Sequence, residues 1–270
     1  MKRMIWTTSL AMGLGSLLGC ATNEVTGRQQ LMLIPSATVV AMGEKEFADT
    51  KEKARRAGQA DTNKARVARI TQITKALIAQ AIKLKPESAQ WKWETVVIND
   101  PQTVNATCLP GGKITVYTGI IGALHATDDE LAAVIGHEIA HAISEHGREK
   151  VSMAMGVQAA ITLAASTSQT AQSNELLMKQ GGNLLVKLPN SRSAESEADH
   201  IGLRIAAMAG YNPMAGVSLW QKMNKLMKGN APAEFQSTHP SNETRIADNG
   251  KWAEELMPVY ESNKRRRPKY

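Results

Sequence analysis

The stretch VIGHEIAH, residues 134–141, decides how the rest of the chain is read. Positions four apart on an α-helix are offset by only about 40° and lie one turn apart. His137 and His141 therefore project side by side and can direct ring nitrogens at one metal ion. Glu138, about 100° around the helix from His137, reaches toward the open side of such a metal and can hold a water there without being a ligand. That is the mechanical content of the H-E-x-x-H pattern. The flanks, Ala132 to Ile135 and Ile139 to Ile143 apart from His141, are apolar and small, which predicts a buried helix. Two histidines and a glutamate buried together need a partner. Thr127 with Glu130 three residues on forms a capping box. The helix it starts is expected to run through LAAVIGHEIAHAISEH to Gly147, the residue just past its end.

A catalytic zinc takes three protein ligands and keeps one position open, so a third ligand is required. His146 is nine residues from His137, about 180° around the helix, and is expected to face away. The longer pattern H-E-x-x-H-x-x-G-x-x-H fails, because its glycine position is Ser144 and its last histidine position is Gly147. The stronger candidates lie in NSRSAESEADHIGL (190–203), where Glu195 and Asp199 are four apart on a predicted helix and share a face. Glu197, about 200° from Glu195, should point away. In a Glu-zincin arrangement the glutamate binds zinc, and the aspartate accepts a hydrogen bond from a ligand histidine, fixing its tautomer. Without the upstream motif this run reads as a solvated acidic face.

The remaining chain supplies the frame. Its 270 residues, 43% hydrophobic and 21% charged, fit one medium domain with a substantial core and exclude disorder as the default. Thirteen methionines against two phenylalanines favour helix-rich packing. Helices are expected at about 37–57, 62–84, 153–165, 176–186, 192–209, 213–228 and 242–256. The segment 153–165 is too short to span a membrane and reads as a buried or surface-touching helix. STSQTAQSNE (166–175) reads as a polar connection, and breaks are expected near Pro189, Gly210 with Pro213, and Gly229 with Pro232. WKWETVVI (91–98) alternates and is β-branched, so it reads as a strand. VNATC and KITVY flank Leu109-Pro110-Gly111-Gly112 as a strand pair joined by a turn. A small sheet followed by helices predicts an α+β domain, mostly helical.

The ends carry other signals. Residues 1–19 look like a bacterial lipoprotein signal peptide: Lys2 and Arg3, a short apolar run, then Gly19 before Cys20. An ordinary cleaved signal is the alternative. Lipidation of Cys20 would anchor the chain firmly. Ala21 at the next position resembles the sorting pattern for the outer membrane, with the protein facing the periplasm. Residues 20–36 then read as a linker, 37–258 as a single domain and 259–270 as a basic tail. Losing Lys2 and Arg3 lowers the net charge from +7 to +5. The tail NKRRRPKY reads either as solvated and disordered or as attracted to an anionic surface. No nucleic-acid motif accompanies it. With Cys20 acylated, Cys108 is a single thiol, so neither an intrachain disulfide nor a cysteine metal site is expected.

Four stretches in this order resemble metallopeptidase family forty-eight, the family of HtpX, the CAAX prenyl proteases and the Oma-type proteases. They are VNATCLPGGKITVYTGII (104–121), ELAAVIGHEIAHAISEH (130–146), SRSAESEADHIGL (191–203) and STHPSNETRI (237–246). The chain is most similar to the lipoprotein branch of LoiP-type outer-membrane proteases and to the catalytic part of BepA-type ones. The resemblance implies a zincin-like (gluzincin) fold, one zinc held by His137, His141 and Glu195, Glu138 as catalytic glutamate, and Asp199 as the aspartate behind a ligand. It implies that His239 lies near the metal, either stabilising the tetrahedral intermediate or capping zinc in a latent form, with Arg245 supporting it. A structural reading of both, a turn before a proline and a salt bridge, stays open. The resemblance also makes Gly111, Gly112, Lys113, Ile114 and Thr115 a substrate-binding edge that pairs with a peptide; an internal hairpin is the alternative. There are no multi-span membrane helices and no helical repeat array.

The function expected is zinc-dependent endoproteolysis of unfolded or misassembled envelope proteins, with the outer-membrane assembly machinery as a possible partner. The alternative is a non-catalytic outer-membrane lipoprotein chaperone with a structural zinc, which four permanently closed ligands would favour and an intact Glu138 disfavours. A zinc hydrolase acting on something other than peptides is the third reading.

Overall fold

The computed structural model describes residues 19–164, 184–185, 187–228, 237–239 and 243–268. The apolar leader before Gly19, the polar stretch 166–175, most of the expected helix 176–186, the breaks at Gly229 and Pro232, Pro240 after His239, and Lys269 lie outside the described residues.

The chain opens with a hairpin, β1 (Cys20–Thr22) against β2 (Gln29–Leu31). Two long helices follow, α1 (Ser36–Arg56) and α2 (Lys64–Leu84). Asn63 accepts the Arg66 backbone N–H as the α2 cap. Ile70, Ile73, Leu77 and Ala81 recur at helical spacing and are fully buried. Then come β3 (Glu94–Ile98), β4 (Ala106–Leu109), β5 (Lys113–Tyr117) and the short α3 (Thr118–Ala123). The helices α4 (Asp128–Ile143), α5 (His146–Ala164), α6 (Arg192–Met208), α7 (Ala215–Lys228) and α8 (Glu243–Asn263) complete the fold. The fold is the expected mostly helical α+β class with a small sheet. Its main core joins α2, the sheet, α4, α6 and α7, and α4 lies at its centre. Among the described residues no helix is long and apolar enough to cross a membrane.

Four expectations are corrected. First, the sheet order is β3-β5-β4, with β3 parallel and β4 antiparallel to β5. The strand KITVY is thus central, and Lys113, Ile114 and Thr115 have a neighbour on both sides. Gly111 and Gly112 make the turn, with φ of 83° and 77°, a conformation that needs glycine twice in succession. These five residues do not form an edge; β4 does. Second, α4 stops at Ile143, not before Gly147, and Glu145 takes a left-handed φ of 53°. This turns the chain sharply into α5. Third, the expected linker is folded. Asn23 is buried and donates to Gln30 and to the Ser144 carbonyl. Arg28 pairs with Glu149 and Glu197. Fourth, the expected tail continues α8 to Asn263, and Arg267 lies over the Tyr211 ring while pairing with Asp128 and Asp129.

Candidate metal and catalytic site

The site forms where α4 crosses α6, and two glycines set the closeness of that crossing. A Cβ at Gly136 would stand 2.8 Å from the Gly202 carbonyl oxygen, and one at Gly202 would stand 2.6 Å from the His137 nitrogen. Backbone-to-backbone contact brings the middle of α6 against the middle of α4, with Glu195 and Asp199 on the turns just before it. Ser191 caps α6 by accepting the Ala194 N–H, which fixes where Glu195 and Asp199 emerge.

His137, His141, Glu195 and His239 converge, each offering one donor atom, all within 4.8 Å of one another and all buried. The Nε2 atoms of His137 and His141 lie 3.0 Å apart. His239 Nδ1 is 3.2 Å from His137 Nε2 and 3.0 Å from Glu195 Oε1. Glu195 Oε1 is 3.3 Å from His141 Nε2, and Oε2 is 3.5 Å from His137 Nε2. His137 turns its other nitrogen, Nδ1, to Asp199 Oδ1 at 2.9 Å. A carboxylate only accepts, so Nδ1 carries the hydrogen, and in the neutral ring Nε2 would offer its lone pair to the cluster. Imidazole nitrogens and a carboxylate crowded together in a buried cluster suit a shared cation. The mixed nitrogen and oxygen donor set suits zinc.

Behind the cluster Arg245 donates two hydrogen bonds to Asp199, at 2.8 Å each, and a third contact of 2.8 Å to Glu195 Oε2. Its guanidinium stacks 4.2 Å from the Trp220 ring centroid. Arg245 thus orients both carboxylates. Asn190 was not foreseen: its Nδ2 donates to Glu195 Oε1 at 2.7 Å, while its backbone N–H reaches the Thr238 carbonyl beside His239.

Glu138 is buried at the mouth. Its Oε1 lies 3.4 Å from His239 Nε2, and its carboxylate accepts the Cys108 backbone N–H from the β4 edge. Burial raises the Glu138 pKa above the ordinary carboxylate range, only partly offset by His239 and His137. Thr107, Cys108, Glu138, His141, Asn190 and His239 line a cleft of about 60 Å³, room for a few waters. Cys108 is buried with its thiol pKa pushed up by burial and Glu138, so it is no nucleophile. His146 lies outside the cluster, as expected, but the sharp turn after Ile143 brings it back onto His141 instead of away from it. Gly111 to Thr115 lie outside the cleft lining.

Comparison with known proteins follows the same residues. The chain is 41% identical over 175 residues to the mitochondrial metalloendopeptidase OMA1 of Schizosaccharomyces pombe, covering 64% of this chain and 50% of that protein. It is 34% identical over 145 residues to metalloprotease LoiP of Escherichia coli, covering 53% and 56%. It is 28% identical over 167 residues to the putative beta-barrel assembly-enhancing protease of Vibrio cholerae, covering 58% and 34%. The chain thus spans about half or less of the length of most curated relatives it matches. The profile described as peptidase family M48 matches residues 64–253, a stretch containing every member of the cluster, and the chain belongs to that family.

Proposed function

We propose that the chain is a zinc-dependent metalloendopeptidase in which His137, His141 and Glu195 hold the metal. The observation that carries this reading is the placement of a buried glutamate that is not one of the four converging donors, Glu138, between the cluster and the β4 edge, which pairs with no further strand among the described residues. A structural metal site has no use for that residue; a hydrolytic one needs it. When bound, zinc supplies a Lewis acid that polarises the scissile carbonyl and acidifies water. Glu138 takes the proton of the attacking water and returns it to the leaving amine. Asp199 and Arg245 hold His137 and Glu195 in place. A peptide adds to the outer edge of β4, where main-chain hydrogen bonds tolerate varied side chains. That tolerance suits unfolded or misassembled proteins as substrates.

The finer setting is part of the same proposal. The leader and Cys20, which is exposed, support lipid anchoring at a bacterial outer membrane facing the periplasm. The resemblance to LoiP and to a beta-barrel assembly-enhancing protease supports envelope quality control and contact with the assembly machinery.

One observation favours a second state. His239 places Nδ1 as a fourth donor, which closes the site in the manner of a latent enzyme or of a non-catalytic chaperone with structural zinc. Cleavage of casein by the zinc-loaded protein, lost in Glu138→Gln with zinc retained, establishes the peptidase. Zinc-loaded wild type and His239→Ala that both leave casein intact overturn the peptidase reading.

A further inference from the structure

His146 sits 2% exposed among the site residues without belonging to the converging donors. Its Nδ1 lies 2.8 Å from His141 Nδ1, and its Nε2 lies 2.9 Å from Glu197 Oε2. Glu197 in turn accepts the Arg28 Nε–H at 2.6 Å. The two terminal nitrogens of Arg28 each donate to Glu149 at 2.6 Å. The direction of every hydrogen bond in this chain is fixed by one fact: a carboxylate paired with a guanidinium only accepts. His146 Nε2 therefore carries the hydrogen. Its Nδ1 is then the lone pair, which accepts the His141 Nδ1–H. His141 is left with its Nε2 lone pair turned into the cluster.

We infer that His146, held by Glu197 and Arg28, is a positioning residue for the metal site that sets the tautomer and ring orientation of His141. This rests on the proposed reading that His141 is a ligand. His137 has a carboxylate directly behind it, Asp199. His141 has a longer support, the His146 imidazole, the Glu197 carboxylate and then Arg28, which lies between β1 and β2. The N-terminal hairpin is thereby part of the site, since Arg28 neutralises Glu197 and fixes where its oxygens stand. Outer partners of this kind hold a ring in register and raise ligand basicity.

The test uses the purified full chain, zinc affinity by competition with a chelator, and the visible spectrum of the cobalt-substituted protein. His146→Ala is expected to weaken zinc about 10–100-fold and to shift the cobalt bands. His146→Asn, whose Oδ1 stands in for the accepting Nδ1, is expected to recover most of the affinity and the wild-type spectrum. Arg28→Met leaves both histidines in place and is expected to give a smaller loss in the same direction. Should His146→Ala fail to fold, by the circular dichroism of the metal-free protein, Arg28→Met and Glu197→Gln decide. Wild-type zinc affinity and cobalt spectrum in these variants overturn the positioning role. His141→Ala separates the two readings: if it loses the zinc that wild type holds, only the positioning role is at stake. If wild type takes up no zinc, the metal reading falls and this inference with it.

Discussion

At the scale of the residue, Glu138 bears the sharpest prediction. Glu138→Gln keeps the shape and the Cys108 contact but cannot take a proton. Zinc content should be unchanged, and casein cleavage should drop by at least about 10²-fold, the lower end for a general acid–base group. Helical spacing put His137 with His141 and Glu195 with Asp199 on shared faces, and the resemblance to the family assigned them, with Glu138, to one site. Spacing could not lead to Asn190, which contacts Glu195 from a loop with no period. Nor could it show that His146 returns to His141, because that depends on where α4 ends. Thr127 marks the start of α4 through its own hydroxyl. The end is marked by Glu145 in a left-handed conformation that any side chain but glycine resists, so no glycine announced it.

At the scale of the element, the decisive contact is α4 against α6. Gly202→Ala puts a methyl 2.6 Å from the His137 nitrogen and 2.9 Å from the Gly136 carbon. Backbone atoms cannot swing aside as a side chain would, so the helices must part. The expected cost is about 1–3 kcal/mol, as for other overpacked contacts, read as a lower urea midpoint. Zinc retention should fall as well, since Glu195 and Asp199 ride on the displaced helix. A variant with wild-type stability and zinc content would show that the crossing does not position the site. The strands carry the complementary lesson. Alternation found β3, β4 and β5, and the Pro-Gly-Gly turn found the β4–β5 hairpin. Local pattern says nothing about which side of the hairpin β3 returns to. It pairs in parallel with β5, which makes KITVY central and leaves β4 as the edge facing Glu138. Lys113 to Val116 are all buried, so both faces of the strand are covered, which the alternation of KITVY does not reveal.

At the scale of the whole molecule, the hairpin β1–β2 and the segment after α8 both pack at the ends of the site helix, through Asn23 to Ser144 and Arg267 to Asp128 and Asp129. The run KRRRPK reads as a solvated charge cluster until Asp128 and Asp129, far earlier in the chain, are placed beside Arg267. Arg267→Ala should lower stability by about 1 kcal/mol, the scale of a partly exposed ion pair with a cation–π contact; no change in the urea midpoint would return the tail to the solvated reading. Acid is a broader probe of the same architecture. In the metal-free protein, burial lowers the pKa of His141 and His146, while Asp199 and Glu195 outweigh burial at His137 and raise it to about 9. A lowered histidine pKa means the folded state resists charging, so stability falls as pH drops below about 6.5. His137 works in the opposite sense: its contribution is complete below about 6.5 and is lost as pH rises through about 9. The carboxylates Asp61, Glu130, Glu145, Glu197 and Asp199 all resist burial through their partners and titrate below their ordinary values. Their stabilisation is complete above about pH 4.3 and is lost as pH falls through the depressed folded values. The chelator-treated chain should therefore show its highest urea midpoint near pH 7–8, a modest decrease by pH 5.5 and a steep one below about 4. Equal midpoints at pH 7 and 3.5 would mean that the buried ion pairs tying hairpin, site and α8 together add nothing net to the fold.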